Sequence, residues 1–178
     1  MIDADYARLL ARYGRWQNGS LYAAADRLSD AERRRERGAF FGSIQGTLSH
    51  LAWADQLWLS RFTARPKPTV GIPDSASLYE EWQELRALRQ ALDDEIERWA
   101  ISLSDDWLAA DLSYVASGGG TRSGPCWRFV THFFNHQTHH RGQVHCLLTQ
   151  AGAPPPEDTD LIVMPESGDA TAARRLSS

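Results

Sequence analysis

Between Pro125 and Gly152 the chain carries one uninterrupted segment that only a long helix accommodates. Trp127, Val130, Phe133, Phe134, Val144, Leu147 and Leu148 recur there at steps of three and four or their sums, the period of an α-helix. Proline suits a first helical position and Ala151-Gly152 supplies the stop. Such a helix must bury its apolar stripe against others, so the rest of the chain must supply partner helices.

Three further helices emerge. Tyr6, Leu9, Leu10, Tyr13, Trp16 and Leu28 mark the first, between Ile2 and Leu28. Ser29-Asp30-Ala31-Glu32 follows as a cap and polar turn, and Arg33 to Arg37 as a solvated connector. Ser43 is the expected N-cap of a second helix with Ile44, Leu48, Leu51, Trp53, Leu57, Trp58 and Phe62 on its apolar surface, ended by Arg65-Pro66-Lys67-Pro68. The run Asp74 to Ser77 offers N-caps for a third, reaching Ile101 through Leu78, Trp82, Leu85, Leu92, Ile96 and Trp99. Between Ser102 and Pro125 the pattern shifts to weak alternation over Asp111 to Val115 and a glycine-rich turn, predicting a small hairpin or lid loop. Four helices with modest connections predict an all-α chain folded as one antiparallel four-helix bundle, a single domain over 1–165. After Pro154-Pro155-Pro156 the apolar run Leu161 to Met164 is expected to dock on the bundle, and 166–178 to form a mobile tail.

Bulk properties narrow the function. At 178 residues with 42% hydrophobic content the chain can bury a core without staples. Nineteen Lys plus Arg against 23 Asp plus Glu leave a net charge of −4, which argues against a nucleic-acid partner. No stretch approaches the ~18 apolar residues of a spanning helix, so no membrane partner and a cytoplasmic location are expected. Cys126 and Cys146 share one helix about 30 Å apart along its axis, too far for a disulfide, and are expected as free thiols.

Five of the six histidines fall in the fourteen residues from His132 to His145. On a helix His136 and His140 stand about 400° apart, one turn along the same face, and can hold one ion. A firm grip needs a ligand from another helix, and His50, the only histidine outside the cluster, sits among apolar residues of the second helix. Alone, His50 would be read as a core histidine bonded to a carbonyl; beside the pair it becomes a ligand. Three neutral imidazoles leave an open position on a divalent ion, as in a catalytic or ligand-binding site. His132 lies one turn back as a substitute ligand or hydrogen-bond donor, while His139 and His145 point elsewhere. The segment from Cys126 to Gln150 holds no carboxylate, which excludes a di-iron Glu-x-x-His arrangement there.

These residues resemble a known family. The string HFFNHQTHHRGQVHCLLTQAGAPPPEDTDLIVMP, with His136-x-x-x-His140-x-x-Gln143 at its centre, is similar to the last-helix signature and exit of the DinB/YfiT-like metal-binding four-helix bundles, the DinB family. Leu48-Ser49-His50 supplies the matching third histidine, and Trp16, Asn18 and Gly124-Pro125-Cys126-Trp127 also stand at family-like positions. The resemblance covers roughly residues 2 to 165 and implies a three-histidine site for zinc, nickel or a similar ion, iron included, in a homodimer. It also implies a small-molecule substrate, a low-molecular-weight thiol among the candidates.

Three functions follow as expectations: a metal-dependent enzyme activating a small thiol or water, in particular a thiol S-transferase; a metal-binding or structural module without turnover; and a metal-dependent hydrolase. In the first, Gln143 and Arg141 are candidates to orient the site or a bound anion, although Arg141 reads equally well as a solvent-facing or dimer-interface side chain and Gln143 as a cap. The hydrolase needs a general base, for which only Asp55, Asp158 or Asp160 is at hand.

Overall fold

The computed structural model describes residues 1–166. Its four long helices are α1 (Ala4–Asp26), α3 (Ile44–Phe62), α4 (Trp82–Ser102) and α6 (Cys126–Gln150). Helix α1 packs on α4 and α6, and α3 packs on the same two, so each long helix has two long neighbours. Two short helices, α2 (Asp30–Arg34) and α5 (Asp105–Ala109), sit in the connections. Strands β1 (Asp111–Val115) and β2 (Thr121–Pro125) pair antiparallel, with Asp111 opposite Pro125 and Val115 opposite Thr121. The fold is mostly helical with a small two-stranded sheet, which occupies the place where the sequence predicts a hairpin or lid.

Local chemistry explains the boundaries. The Asp3 carboxylate accepts from the Tyr6 amide at the start of α1, and the Ser43 hydroxyl accepts from the Gly46 amide at the start of α3. Gly119 and Gly120, at φ +86° and +77°, make the turn between the strands, a backbone region closed to most side chains. Helix α3 is the most deeply enclosed: every residue from Ile44 to Asp55 is buried. At one end of the core Phe62 stacks on Trp99 at 5.0 Å, and Phe133 meets both edge-on.

Several expectations are corrected. The third long helix begins at Trp82; Ile72–Ser77 is a separate 3-10 turn. Pro73 opens that turn, and Ser75 donates to the Ile72 carbonyl rather than capping a helix. Arg33 is buried, its guanidinium over the Trp82 ring at 4.7 Å and bonded to the Ala25 and Leu28 carbonyls, so the basic connector is only partly solvated. The run Leu161 to Met164 does not dock: Ile162 is 91% exposed. The preceding segment crosses α1 instead, where Gln17 donates to the Asp158 carbonyl, Tyr13 to the Thr159 carbonyl, and Ser20 accepts from the Glu157 amide. Backbone groups thus outcompete the apolar run, because α1 presents polar side chains to the tail. The expected mobile tail falls, from residue 167 onward, outside the described residues. Cys126 is a buried and Cys146 an exposed free thiol.

A polar network is sealed in the centre. Arg89 of α4 donates to Asp55 of α3 at 2.6 Å and pairs with Asp93 one turn along at 3.0 Å, all three nearly free of solvent contact. Asn18 of α1 donates to Asp93, and Gln137 of α6 donates to Asp55. All four long helices therefore contribute to one cluster. Removing one partner of a buried pair leaves the other desolvated and unmatched, a loss of about 3 kcal/mol or more. Asp55→Ala is accordingly expected to lower the unfolding free energy by about 3 kcal/mol in urea denaturation; a loss under about 1 kcal/mol would show that the network is incidental to stability.

Candidate metal centre

Helix α3 delivers His50 from its buried stretch, and α6 delivers His136 and His140 from successive turns of the face it turns to α3. Each of the three offers one ring nitrogen, and these atoms all lie within 4.8 Å of one another. The Nε2 atoms of His136 and His140 are 3.1 Å apart. Two ligands on one ion, with bonds of about 2.0–2.1 Å, stand roughly that far apart. His50 and His140 are buried and His136 is half-buried.

Hydrogen bonds choose which nitrogen faces the centre. The Ser75 hydroxyl spends its proton on the Ile72 carbonyl, so its oxygen accepts from Nδ1–H of His50 at 2.8 Å. That tautomer leaves the His50 Nε2 lone pair bare. His140 is held likewise: Nδ1 lies 2.8 Å from Oε1 of Gln143, whose amide nitrogen sits 3.2 Å from Nε2 of His139. With Nδ1 donating to Gln143, Nε2 of His140 is also bare. Phe41 stacks on His50 at 3.7 Å and leans over His140 at 5.5 Å, an apolar wall that excludes water from one side.

The electrostatics keep these rings neutral. Burial, then the neighbouring His140, pulls His50 down to about 3. Burial, then the charges of the surrounding histidines, pulls His136 to about 3. Burial also lowers His140, opposed by its bond to Gln143. Neutral, convergent, water-poor imidazoles suit a borderline transition-metal ion, and no other group in the cluster competes for it.

Gln143 contacts the site through His140. Arg141 faces the other way, toward α1, with its guanidinium 5.4 Å from the Tyr13 ring centre. It is 6% exposed, which corrects the solvent-facing reading; burial pulls it down to about 10. His132 leans on Trp58 at 4.9 Å, one turn from His136. Asp55 is committed to Arg89 and Gln137, and Asp158 and Asp160 sit on the segment that crosses α1. None of these carboxylates belongs to the close donor group. Ser75 and Phe41 escape a reading of the chain alone: one lies in a stretch that reads as helix caps, and the other stands in a loop with no periodicity to mark it.

Comparison with known proteins follows the same lines. A family model described as the DinB family matches residues 1–168. Protein DinB of Bacillus subtilis is 26% identical over 158 residues, covering 84% of this chain and 88% of that protein. The crystal structure of a DinB-like protein from Bacillus cereus superposes with a TM-score of 0.58 at 21% identity, covering 80% of this chain and 90% of that one. At that identity the superposition speaks to the fold alone.

The depressed histidines set a pH dependence. Below their ordinary value of about 6.5 the unfolded chain binds protons that the folded chain refuses, so stability rises with pH in this window. It is complete above about 6.5 and lost progressively as pH falls toward about 3, where His50 and His136 titrate in the fold. Urea midpoints of the metal-free protein are expected to fall between about pH 7 and about pH 5, with a flatter profile in a His50→Gln, His136→Gln double variant. Parallel profiles for parent and variant would contradict this assignment.

Proposed function

The chain belongs to the DinB family, and on that premise we propose that it is a metal-dependent enzyme whose ion, held by His50, His136 and His140, activates a small thiol for transfer to an electrophile. The observation that carries this reading is the convergence of three ring nitrogens, two of them bared by hydrogen bonds on the far side of the ring. A bound divalent ion supplies Lewis acidity, lowering the pKa of a thiol or water that enters its open position. We read the four long helices as one antiparallel bundle around this centre, zinc or nickel as its first candidates and iron as a third.

The chain's own residues make the arrangement work. Ser75 and Gln143 fix ring orientation, so no reorganisation is needed when ligand enters. The burial that keeps His50 and His136 uncharged leaves their lone pairs available well below neutrality. Phe41, besides covering His50, lines an apolar cavity of about 680 Å3 with Phe40, Ile72, Pro73 and Ala76. That cavity gives the apolar part of an electrophile a place beside the centre. With three protein donors in the cluster, a closed four-ligand structural site is less well supported. Hydrolysis is less well supported too, because no carboxylate stands in the donor group to act as a general base.

Elemental analysis of protein purified without a histidine tag is expected to find about one transition-metal ion per chain, and almost none in His136→Ala. Ser75→Ala should keep the fold but weaken metal affinity by about ten- to a hundredfold in chelator competition, since the His50 ring loses its tether. Adding a small thiol such as cysteine to cobalt-substituted protein should shift the visible spectrum; silence toward every thiol tried, with cobalt bound, would sink the transferase reading while leaving the metal site intact.

A further inference from the structure

The side of α6 that turns to α1 carries a second unusual feature. Arg141 is buried against α1, yet no carboxylate lies within ion-pair distance of its guanidinium among the described residues. Its contacts are long: Nη1 to Oε1 of Gln137 at 3.5 Å and Nη2 to Oγ1 of Thr138 at 3.3 Å. Among the described residues the fork makes no other hydrogen bond to protein. Gln137 in turn donates to Asp55, and Asp55 and Asp93 act on the cation from beyond contact distance. A buried charge is ordinarily matched directly.

Arg141 borders a cavity of about 420 Å3 between α1, α6 and the segment that crosses α1. The volume lies in the range of small-molecule sites. Tyr13 and Thr138 also line it, as does His145, whose Nδ1 is buried without a hydrogen-bond partner among the described residues. Two glycines shape the space. A Cβ at Gly14 would meet Arg141 Nη1 at 3.3 Å, so its absence seats the guanidinium against α1. Gly142 borders the cavity in mid-helix, where glycine is disfavoured, yet a Cβ there would meet nothing within 4 Å. Gly142 is exposed, so a side chain there would extend into the open space beside Arg141.

We infer that this cavity is a binding site for a small anion, a molecule bearing a carboxylate or phosphate group, held by Arg141 and separate from the histidine centre. The guanidinium fork matches either group bidentately, Thr138 adds a hydroxyl, and the unpartnered His145 nitrogen offers a further polar contact. The site stands independently of the proposed thiol chemistry.

The test is calorimetric titration of the metal-loaded protein with sodium phosphate and, separately, sodium acetate, at constant ionic strength. At least one should bind saturably at one site per chain; phosphate alone or acetate alone names the preferred group. Affinity should fall at least about tenfold in Arg141→Met, which loses the charge-assisted contacts. It should fall similarly in Gly142→Leu, which fills the cavity with a good helix former and leaves Arg141 in place, so the test survives if Arg141→Met fails to fold. His50→Ala should bind the anion as the parent does. Loss of binding in His50→Ala would assign the anion to the histidine centre and overturn the inference, as would unchanged affinity in folded Gly142→Leu or no saturable binding by either anion.

Discussion

Two carboxylates and a guanidinium sealed between four helices are the constraint on which the rest of the structure depends. Asp55, Arg89 and Asp93 are bonded at 2.6 and 3.0 Å with almost no solvent contact, and Asn18 and Gln137 tie the remaining two long helices to them. Burying charge is costly, and the cost is met only when each group finds its partner, so the cluster tolerates few alternative packings. Apolar stripes can slide by a turn with modest loss; a buried ion pair cannot. The network therefore sets the register of α3 against α6, and Gln137 is the sequence neighbour of His136. Asp55 lies little more than a turn beyond His50 on α3, so the elements that carry the histidines are locked beside the histidines themselves.

Around that anchor the candidate metal centre is built by removing alternatives. Protonation is suppressed by burial and by the proximity of other imidazoles, which pull in the same direction. Tautomers are chosen by acceptors on the outer edges of the rings, Ser75 for His50 and Gln143 for His140. Phe41 then lays an apolar ring on His50. Each of these contributions lies outside the three histidines, and each narrows what their rings can do.

Helix α6 serves two faces at once. Neighbouring residues on a helix point about 100° apart, so His136 and His140 meet His50 of α3, Gln137 reaches Asp55 of α3, and Arg141, one residue past His140, turns to Tyr13 of α1. The same displacement that puts His136 and His140 in the candidate metal centre puts Gln137 on the buried network and Arg141 beside the cavity along α1. Gly14 lets the Arg141 guanidinium approach α1 closely.

The sequence by itself determined what repeats locally. Apolar steps of three and four marked all four long helices, Ser43 announced the start of α3, and the glycine-rich run before Pro125 announced the turn between the strands. The i, i+4 spacing placed His136 and His140 on one face, and a lone histidine in an apolar helix nominated His50, because helical geometry converts spacing into direction without reference to the rest of the chain. Only the tertiary structure decided that Ser75 sits in a 3-10 turn under His50, that Arg141 turns inward, and that polar backbone rather than the apolar run Leu161 to Met164 holds the end of the chain on α1. These outcomes depend on which donors and acceptors meet across distant segments. A buried polar group is satisfied by whatever the fold brings to it, and no periodicity in the chain encodes that partner in advance.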